Sequence, residues 1–439
     1  MSAAAETASA VRGIVDSPLT ADLERWSRDA LRDLTAALVG GAPTGLAQAA
    51  ARYARGGDPS RRAFHLATAA NALDAEDGHD LAGGVHVGSA LVGALLATAA
   101  PDASLSRLRA ALVSGYEVGL RAGHLFAPQL SGEPYRASGT AAAIGAAAAL
   151  AALEGLDPAA AVRIAHAHAP ASPLVSSRAR ESIGWAAQTA VAAVELVAAG
   201  FADERLEAVG QVPTGEHLFD TFARHPQTSG LGQRFLAPEV YVKPYTACRA
   251  AHAAIEAALA LRVDGRVPVH VTVAVRSDCA GLDAARPATL SAAQFSIPWS
   301  VALAFARGPE AVAAMGEDAL SRHDPHALAE RISVRADPRF DSAASFPAAV
   351  TAAWQDGSVT SRTVSEPLGG PSRPLSADAL SAKAMGLLRA GGISGVDAER
   401  IGSLWAGDEG TAGELRAALR LDAGTAAPRG EEPGAVEWA

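Results

Sequence analysis

The sequence predicts a mainly α-helical protein with an α+β domain inserted late in the chain, a helical bundle carrying a small α/β lid. Three observations lead there. Apolar residues recur at helical spacing through most of the first 240 residues. Valines then alternate strictly from Val267 to Val275, the period of a half-buried strand. A Gly/Pro stretch, PLGGPSRP, finally hands the chain back to a helical pattern that starts at Ser376.

The first residues, MSAAAETASAVRGIVDSP, are small and mixed, which predicts a frayed start and no signal peptide. Thr20 is placed to cap a helix whose Leu23, Trp26, Ala30, Leu34 and Leu38 form one apolar stripe. The segments near Ala90 to Ala99, Ala141 to Leu153 and Ala186 to Ala199 are alanine-rich on every side. Small residues all round let helix axes approach closely, so these are expected to be inner helices. Asp157-Pro158 is a cap followed by proline in the first turn, opening another helix. After Val240 the pattern becomes strand-like, at Val267 to Val275, at Arg331 to Ala336, and on both sides of the Asp356-Gly357 hairpin turn. Ser300 to Arg307 and Pro325 to Glu330 read as helices between them. The expectation is antiparallel strands in a lid over 241–375. Helical parts over 1–240 and 376–439 flank it, the latter helical to about Leu421 with a disordered tail.

Composition limits the function. The 439 residues are 49% apolar and 19% charged, enough for a large core and against intrinsic disorder. Thirty-seven basic and 47 acidic residues give a net charge of −10 with the basic residues dispersed, which argues against a nucleic-acid partner. The longest uncharged stretch, Ala137 to Leu153, is too short and too weakly apolar for a membrane span, so no membrane and a cytoplasmic location are expected. Cys248 and Cys279 make no disulfide framework. Lysine is the anomaly: only Lys243 and Lys383 occur among the 37 basic residues.

Four clusters carry candidate chemistry. ALDAEDGHDLAGGVHVGS gathers Asp74, Glu76, Asp77, His79, Asp80 and His86 between two apolar helical stretches. Carboxylates and imidazoles at the ends of buried helices suit general acid–base work; the alternative is a solvated loop of helix caps. His79 and His86 lack a third ligand at a recognised spacing, so no metal is expected. YVKPYTACRAAHAAIEAAL offers Lys243, Cys248 and His252. A lysine can shift its pKa or donate a proton where arginine cannot. A surface lysine, a small core cysteine and a packing histidine are the bland readings. GEPYRASGTAAAIGAAAAL places Arg136 and Ser138 at a helix start, where free N–H groups suit an anion; Ser138 serving only as a cap is the alternative. SSRARESIGWAAQ brings Arg178, Arg180 and Ser182 to another helix start, or to a solvated basic turn. No GxxxxGK[ST], no GxGxxG after a strand and no GxSxG occurs, so chemistry without a cofactor on a small acid follows better than hydride or phosphoryl transfer.

The order of these motifs resembles the MmgE/PrpD family of dehydratases, decarboxylases and epimerases. ALDAEDGH…VHVGS is similar to LDFDDTH…VHPS, ALVSGYEVGLRAG to a helix ending in GYEVAARIG, and VKPYTACRAAHAAI to KPYPCCRxTHPAI. AQFSIPWSVALAF resembles KFSLPYAVAAAL, and PLSADALSAKAMGLL resembles PLSDEELxxKF. The resemblance implies a helical domain with an α/β lid, a homodimer, and Asp74, His86 and Lys243 as catalytic residues. Arg136, Ser138, Arg178, Arg180, His79, His252 and Trp299 are expected to bind a small carboxylic-acid substrate. Five positions depart from the family pattern, among them Ser182, which stands at a histidine position. Gly78 stands for threonine, Arg136 for a histidine, Ala179 near a lysine position, and Trp299 for tyrosine. Arginine is no proton donor near neutrality, so the departures point to a different substrate or an altered reaction. Together these readings predict a dehydratase-like lyase that removes a proton next to a carboxylate, with an isomerase, and a binding or scaffold protein that has lost its site, as alternatives.

Overall fold

The computed structural model describes residues 3–82, 84–129, 135–170, 172–173, 182–201, 215–407 and 409–421. Its helical body is built around Ser138–Glu154, whose side chains are almost all fully buried. Leu105–Gln129 and Ile183–Ala198 pack on it, as the alanine content of this region predicts. The small residues are required here. A Cβ on Gly145 would lie 2.5 Å from the Gly115 carbonyl oxygen, so these two helices cross nearly backbone to backbone. The caps read from sequence are present: Thr20 accepts from the Leu23 amide, Asp157 from Ala159 and Ser376 from Ala379. The chain start differs from expectation. Ala3–Asp16 is a helix, because Val11, Ile14 and Val15 sit on one face and are buried.

The α/β part holds four strands beyond the two-residue pair β1 (Tyr135–Arg136) and β2 (Ser172–Pro173). These are β3 (His270–Val275), β4 (Ile332–Ala336), β5 (Ala348–Ala353) and β6 (Val359–Val364), in the order β4-β3-β5-β6. The Asp356-Gly357 turn joins β5 to β6, with Gly357 at φ 82°. Two corrections follow. The valine alternation begins before the strand does, since Val267 and Val269 are exposed and precede β3. The strands are not all antiparallel either, because β3 pairs in parallel with β4. The helices Ile297–Arg307 and His323–Ala329 lie between those two strands in sequence and provide the crossover a parallel pair needs. Arg249–Leu261 covers β5 and β6. Beyond the sheet, Ala377–Ala390 returns to pack on Ala21–Gly41 of the helical body. The C-terminal helices end at Ala418, close to the expected limit, and the tail 422–439 lies outside the described residues. Among the described residues, no helix is long and apolar enough to cross a membrane.

Candidate active site

The acidic segment 72–87 links the helices Pro59–Asn71 and Gly88–Thr98 and turns its carboxylates inward. Asp74, Glu76, Asp77 and His79 are all buried. Facing them is the extended segment around Lys243, joined to the loop by a two-way backbone bridge. Tyr241 donates its amide to the Gly78 carbonyl at 2.8 Å, and the Gly78 amide returns a bond to Tyr241 at 3.3 Å. Behind Lys243, the Val242 amide donates to Gly369 at 2.9 Å. Gly369 has φ 93°, and a Cβ there would lie 1.8 Å from the Val242 carbonyl oxygen, so only glycine fits.

Lys243 is fully buried, and its Nζ donates to Asp74 Oδ1 at 2.6 Å with Glu76 Oε1 3.9 Å away. Burial works against the ammonium, but Asp74 and then Glu76 outweigh it and hold its pKa above the ordinary value. Burial pushes the Glu76 carboxyl the other way, above its usual range, with Lys243 opposing and Asp74 adding to the rise. Lys243 is thus favoured as an ammonium beside Asp74, while Glu76 next to it binds a proton more readily than an ordinary glutamate. Asn71 fixes Glu76 by donating from Nδ2 to Oε1 at 2.6 Å. Asp74 adopts φ 53°, a left-handed conformation that Asp tolerates better than most residues and that aims its carboxylate at Lys243.

His86 completes the cluster. Its Nδ1 lies 2.6 Å from the Asp77 carbonyl oxygen, which can only accept, so Nδ1 carries a proton and, of the two neutral tautomers, the one with the lone pair on Nε2 is selected. Its backbone amide donates to Ser138 Oγ at 3.3 Å, at the first turn of the central helix. Asp77 is held in turn by Tyr116, whose hydroxyl donates to Oδ2. Burial pushes the Asp77 carboxyl up to about 7; the Tyr116 bond offsets part of this and the nearby Asp33 adds to it.

The remaining candidates fall in several places. His79 is buried in the same loop, where Nδ1 accepts from the Ala82 amide at 3.0 Å and Nε2 faces Glu239 at 3.6 Å. Burial, with His124 beside it, lowers its pKa to about 4, so it is a neutral brace for the loop. His252 is buried on Arg249–Leu261, with Nε2 donating to the Ala247 carbonyl at 3.0 Å. Burial, reinforced by Arg249, drives its pKa well below the ordinary value and keeps it neutral. Trp299 is fully buried on Ile297–Arg307 with its ring 4.5 Å from that of His326, in the core of the α/β part. Arg136 lies in β1, whose partner strand β2 runs toward the segment 174–181. Arg178 and Arg180 lie outside the described residues, as does the side chain of Arg136.

Several positioning residues escape a reading by motif alone. Lys383, on Ala377–Ala390, donates to the Ala75 carbonyl at 2.7 Å and pairs with buried Asp33 at 2.5 Å. Both lysines of the chain therefore grip the same acidic loop, one at Asp74 and one at Ala75; their rarity was the available signal. The GYEVGLRAG helix supplies the rest. Tyr116 holds Asp77, and Glu117 Oε1 accepts from the Leu236 and Ala237 amides, each at 2.8 Å. Arg121 pairs with Glu117 at 2.5 Å and donates to the carbonyls of Thr228 and Arg234, each at 2.8 Å. One helix thus anchors both the acidic loop and the segment that leads to Lys243. Among the described residues, no three His, Cys, Asp or Glu side chains are grouped to hold a metal ion.

The arrangement puts the His86 imidazole, its Nδ1 anchored to a carbonyl, in one buried cluster with Lys243, Asp74 and Glu76, a set suited to moving a proton next to a carboxylate. Family comparison places the chain accordingly. Residues 19–219 match the MmgE/PrpD N-terminal domain and 245–402 match the MmgE/PrpD C-terminal domain. The chain belongs to the MmgE/PrpD family, known for dehydratase-type activity. No curated protein matches the sequence.

Proposed function

We propose that this protein is a cofactor-independent, dehydratase-type lyase of a small hydroxy-carboxylic or polycarboxylic acid. The observation that carries this reading is His86, whose Nδ1 is held by the Asp77 carbonyl and lies 3.8 Å from Glu76 Oε1, the carboxyl oxygen that is itself 3.9 Å from the Lys243 ammonium paired with Asp74. His86 Nε2 takes the proton from the carbon next to a carboxylate, and the electron pair moves toward that carboxylate as an enolate-like transition state forms. Lys243 stabilises this charge. With its pKa held up by two carboxylates it is a poor proton donor, so its role is electrostatic. The protonated His86 returns that proton to the hydroxyl on the adjacent carbon as the C–O bond breaks, so the hydroxyl leaves as water, an alkene remains and His86 regains its lone pair. Arg136, Arg178 and Arg180 are proposed as carboxylate clamps, on the resemblance of their positions, with the segment 241–375 as the lid that excludes water.

Proton NMR in D2O with a panel of hydroxy- and amino-polycarboxylates tests the reading. Alkene formation supports the lyase. Deuterium entering recovered substrate with no alkene replaces it with an epimerase using the same base. Binding with neither product over long incubation makes the protein a binding member of the family.

A further inference from the structure

Gly78 is the place in the acidic loop with no side chain, and the space beside it is occupied from the opposite segment. A Cβ built on Gly78 would lie 2.4 Å from the Tyr241 hydroxyl oxygen, 2.6 Å from Tyr241 Cζ and 2.9 Å from His86 Nδ1. The tyrosine hydroxyl therefore lies against Gly78 on the Nδ1 side of the His86 ring, the side anchored to the Asp77 carbonyl. The ring is fixed there by the two-way bridge between Gly78 and Tyr241 and by the Arg249 guanidinium 4.4 Å from its centroid. Arg249 is itself held by the carbonyls of Leu368 and Pro367, at 2.8 and 3.2 Å. Tyr241 lies two residues before Lys243 on an extended segment, and positions two apart on extended backbone face the same side. Tyr116, by contrast, is a buried tyrosine whose hydroxyl is already committed, to Asp77. The residue as a whole is buried, yet among the described residues no hydrogen bond takes up the Tyr241 hydroxyl, which leaves it free to meet a ligand oxygen.

We propose that the Tyr241 hydroxyl is a substrate-contacting hydrogen-bond donor, entering the site from the Lys243 segment into the space a side chain at residue 78 would otherwise fill. This rests on the lyase reading and deepens it. The ligand group it meets is an oxygen acceptor, a carboxylate or the departing hydroxyl of the acid whose proton His86 takes. Burial raises the Tyr241 pKa well above its ordinary value, with Asp80 adding to the rise, so the group stays a neutral O–H donor across the working pH range. It binds and orients a substrate oxygen, and no bond to it forms or breaks.

The test uses the full-length protein labelled with [13Cζ]tyrosine. The chain has 5 tyrosines, and the Tyr241 signal is assigned by its loss in Tyr241→Phe, a variant that keeps the ring under Arg249. Citrate, malate and aspartate are titrated separately. The expected result is a shift of the Tyr241 signal at saturation with at least one acid, together with about tenfold weaker binding of that acid by Tyr241→Phe at an unchanged melting temperature. Saturable binding with an unmoved Tyr241 signal and equal affinity in Tyr241→Phe overturns this proposal alone. Binding of none of the acids overturns the lyase reading and this proposal with it.

Discussion

Asp77 is the sharpest electrostatic prediction, because its side chain can be neutralised while its carbonyl still holds His86. Asp77→Asn keeps an oxygen to accept from Tyr116 and removes the ionisable proton. In the folded protein, burial raises this carboxyl from 3.8 to about 7. A folded-state pKa above the unfolded one contributes stability that is fully present below about pH 3.8 and lost as the pH climbs through about 7. At pH 8 the parent has therefore lost about 4 kcal/mol relative to strong acid, whereas at pH 4.5 it has lost about 1 kcal/mol. Burial lowers the pKa of both His79 and His124 to about 4, and these groups act in the opposite direction, favouring the fold as the pH rises from 4 toward 6.5. Parent and variant share them, so the difference between the two isolates Asp77. Urea unfolding at pH 4.5, 6 and 8 is expected to show the stability of Asp77→Asn relative to the parent rising by about 3 kcal/mol across the series. A difference that does not change with pH refutes the assignment of a proton to Asp77 in the folded state.

Further substitutions probe the supports of the site and the helix crossing beneath it. Lys383→Met leaves Asp33 buried without its ammonium partner and frees the Ala75 carbonyl; urea unfolding should show a loss on the order of 3 kcal/mol. Adding Asp33→Leu should recover most of that loss, because both charges are then gone. Gly145→Val drives a side chain into the Gly115 carbonyl, and thermal unfolding should register a loss of about 1–3 kcal/mol with the far-UV spectrum retained. Lys243→Arg should not rescue Lys243→Ala in a turnover assay, because the fully buried Asp74–Glu76 niche around Nζ has no room for a guanidinium.

The helices were legible because their stripes and caps are local signals: Thr20, Asp157 and Ser376 each do what their neighbours in sequence imply. The N-terminal helix was not, since Val11, Ile14 and Val15 stand among small residues, and what stabilises that face is packing against the distant Leu105–Gln129 and Gly215–Arg224, with Ile14 set against Leu23 and Val113. Strand direction was equally hidden. The alternation of β3 fixes which face is buried but not whether β4 arrives parallel to it. The same division runs through the site. Asp74, His86 and Lys243 carry chemistry in their own side chains and stood out. Asn71, Tyr116 and Lys383 act only by holding those groups, across separations that no local motif records. Lysine scarcity was the one global signal that reached across them, since it marked both ammonium groups that meet the acidic loop.

The central claim is that the His86, Asp74 and Lys243 cluster removes a proton next to a carboxylate. Proton NMR in D2O, following one accepted acid with the parent, His86→Ala and Lys243→Ala in parallel, tests it most directly. The account predicts loss of the proton signal next to the carboxylate with the parent, and a rate lower by about a hundredfold or more in each variant with the fold retained. Turnover by His86→Ala or Lys243→Ala at the parent's rate would contradict it.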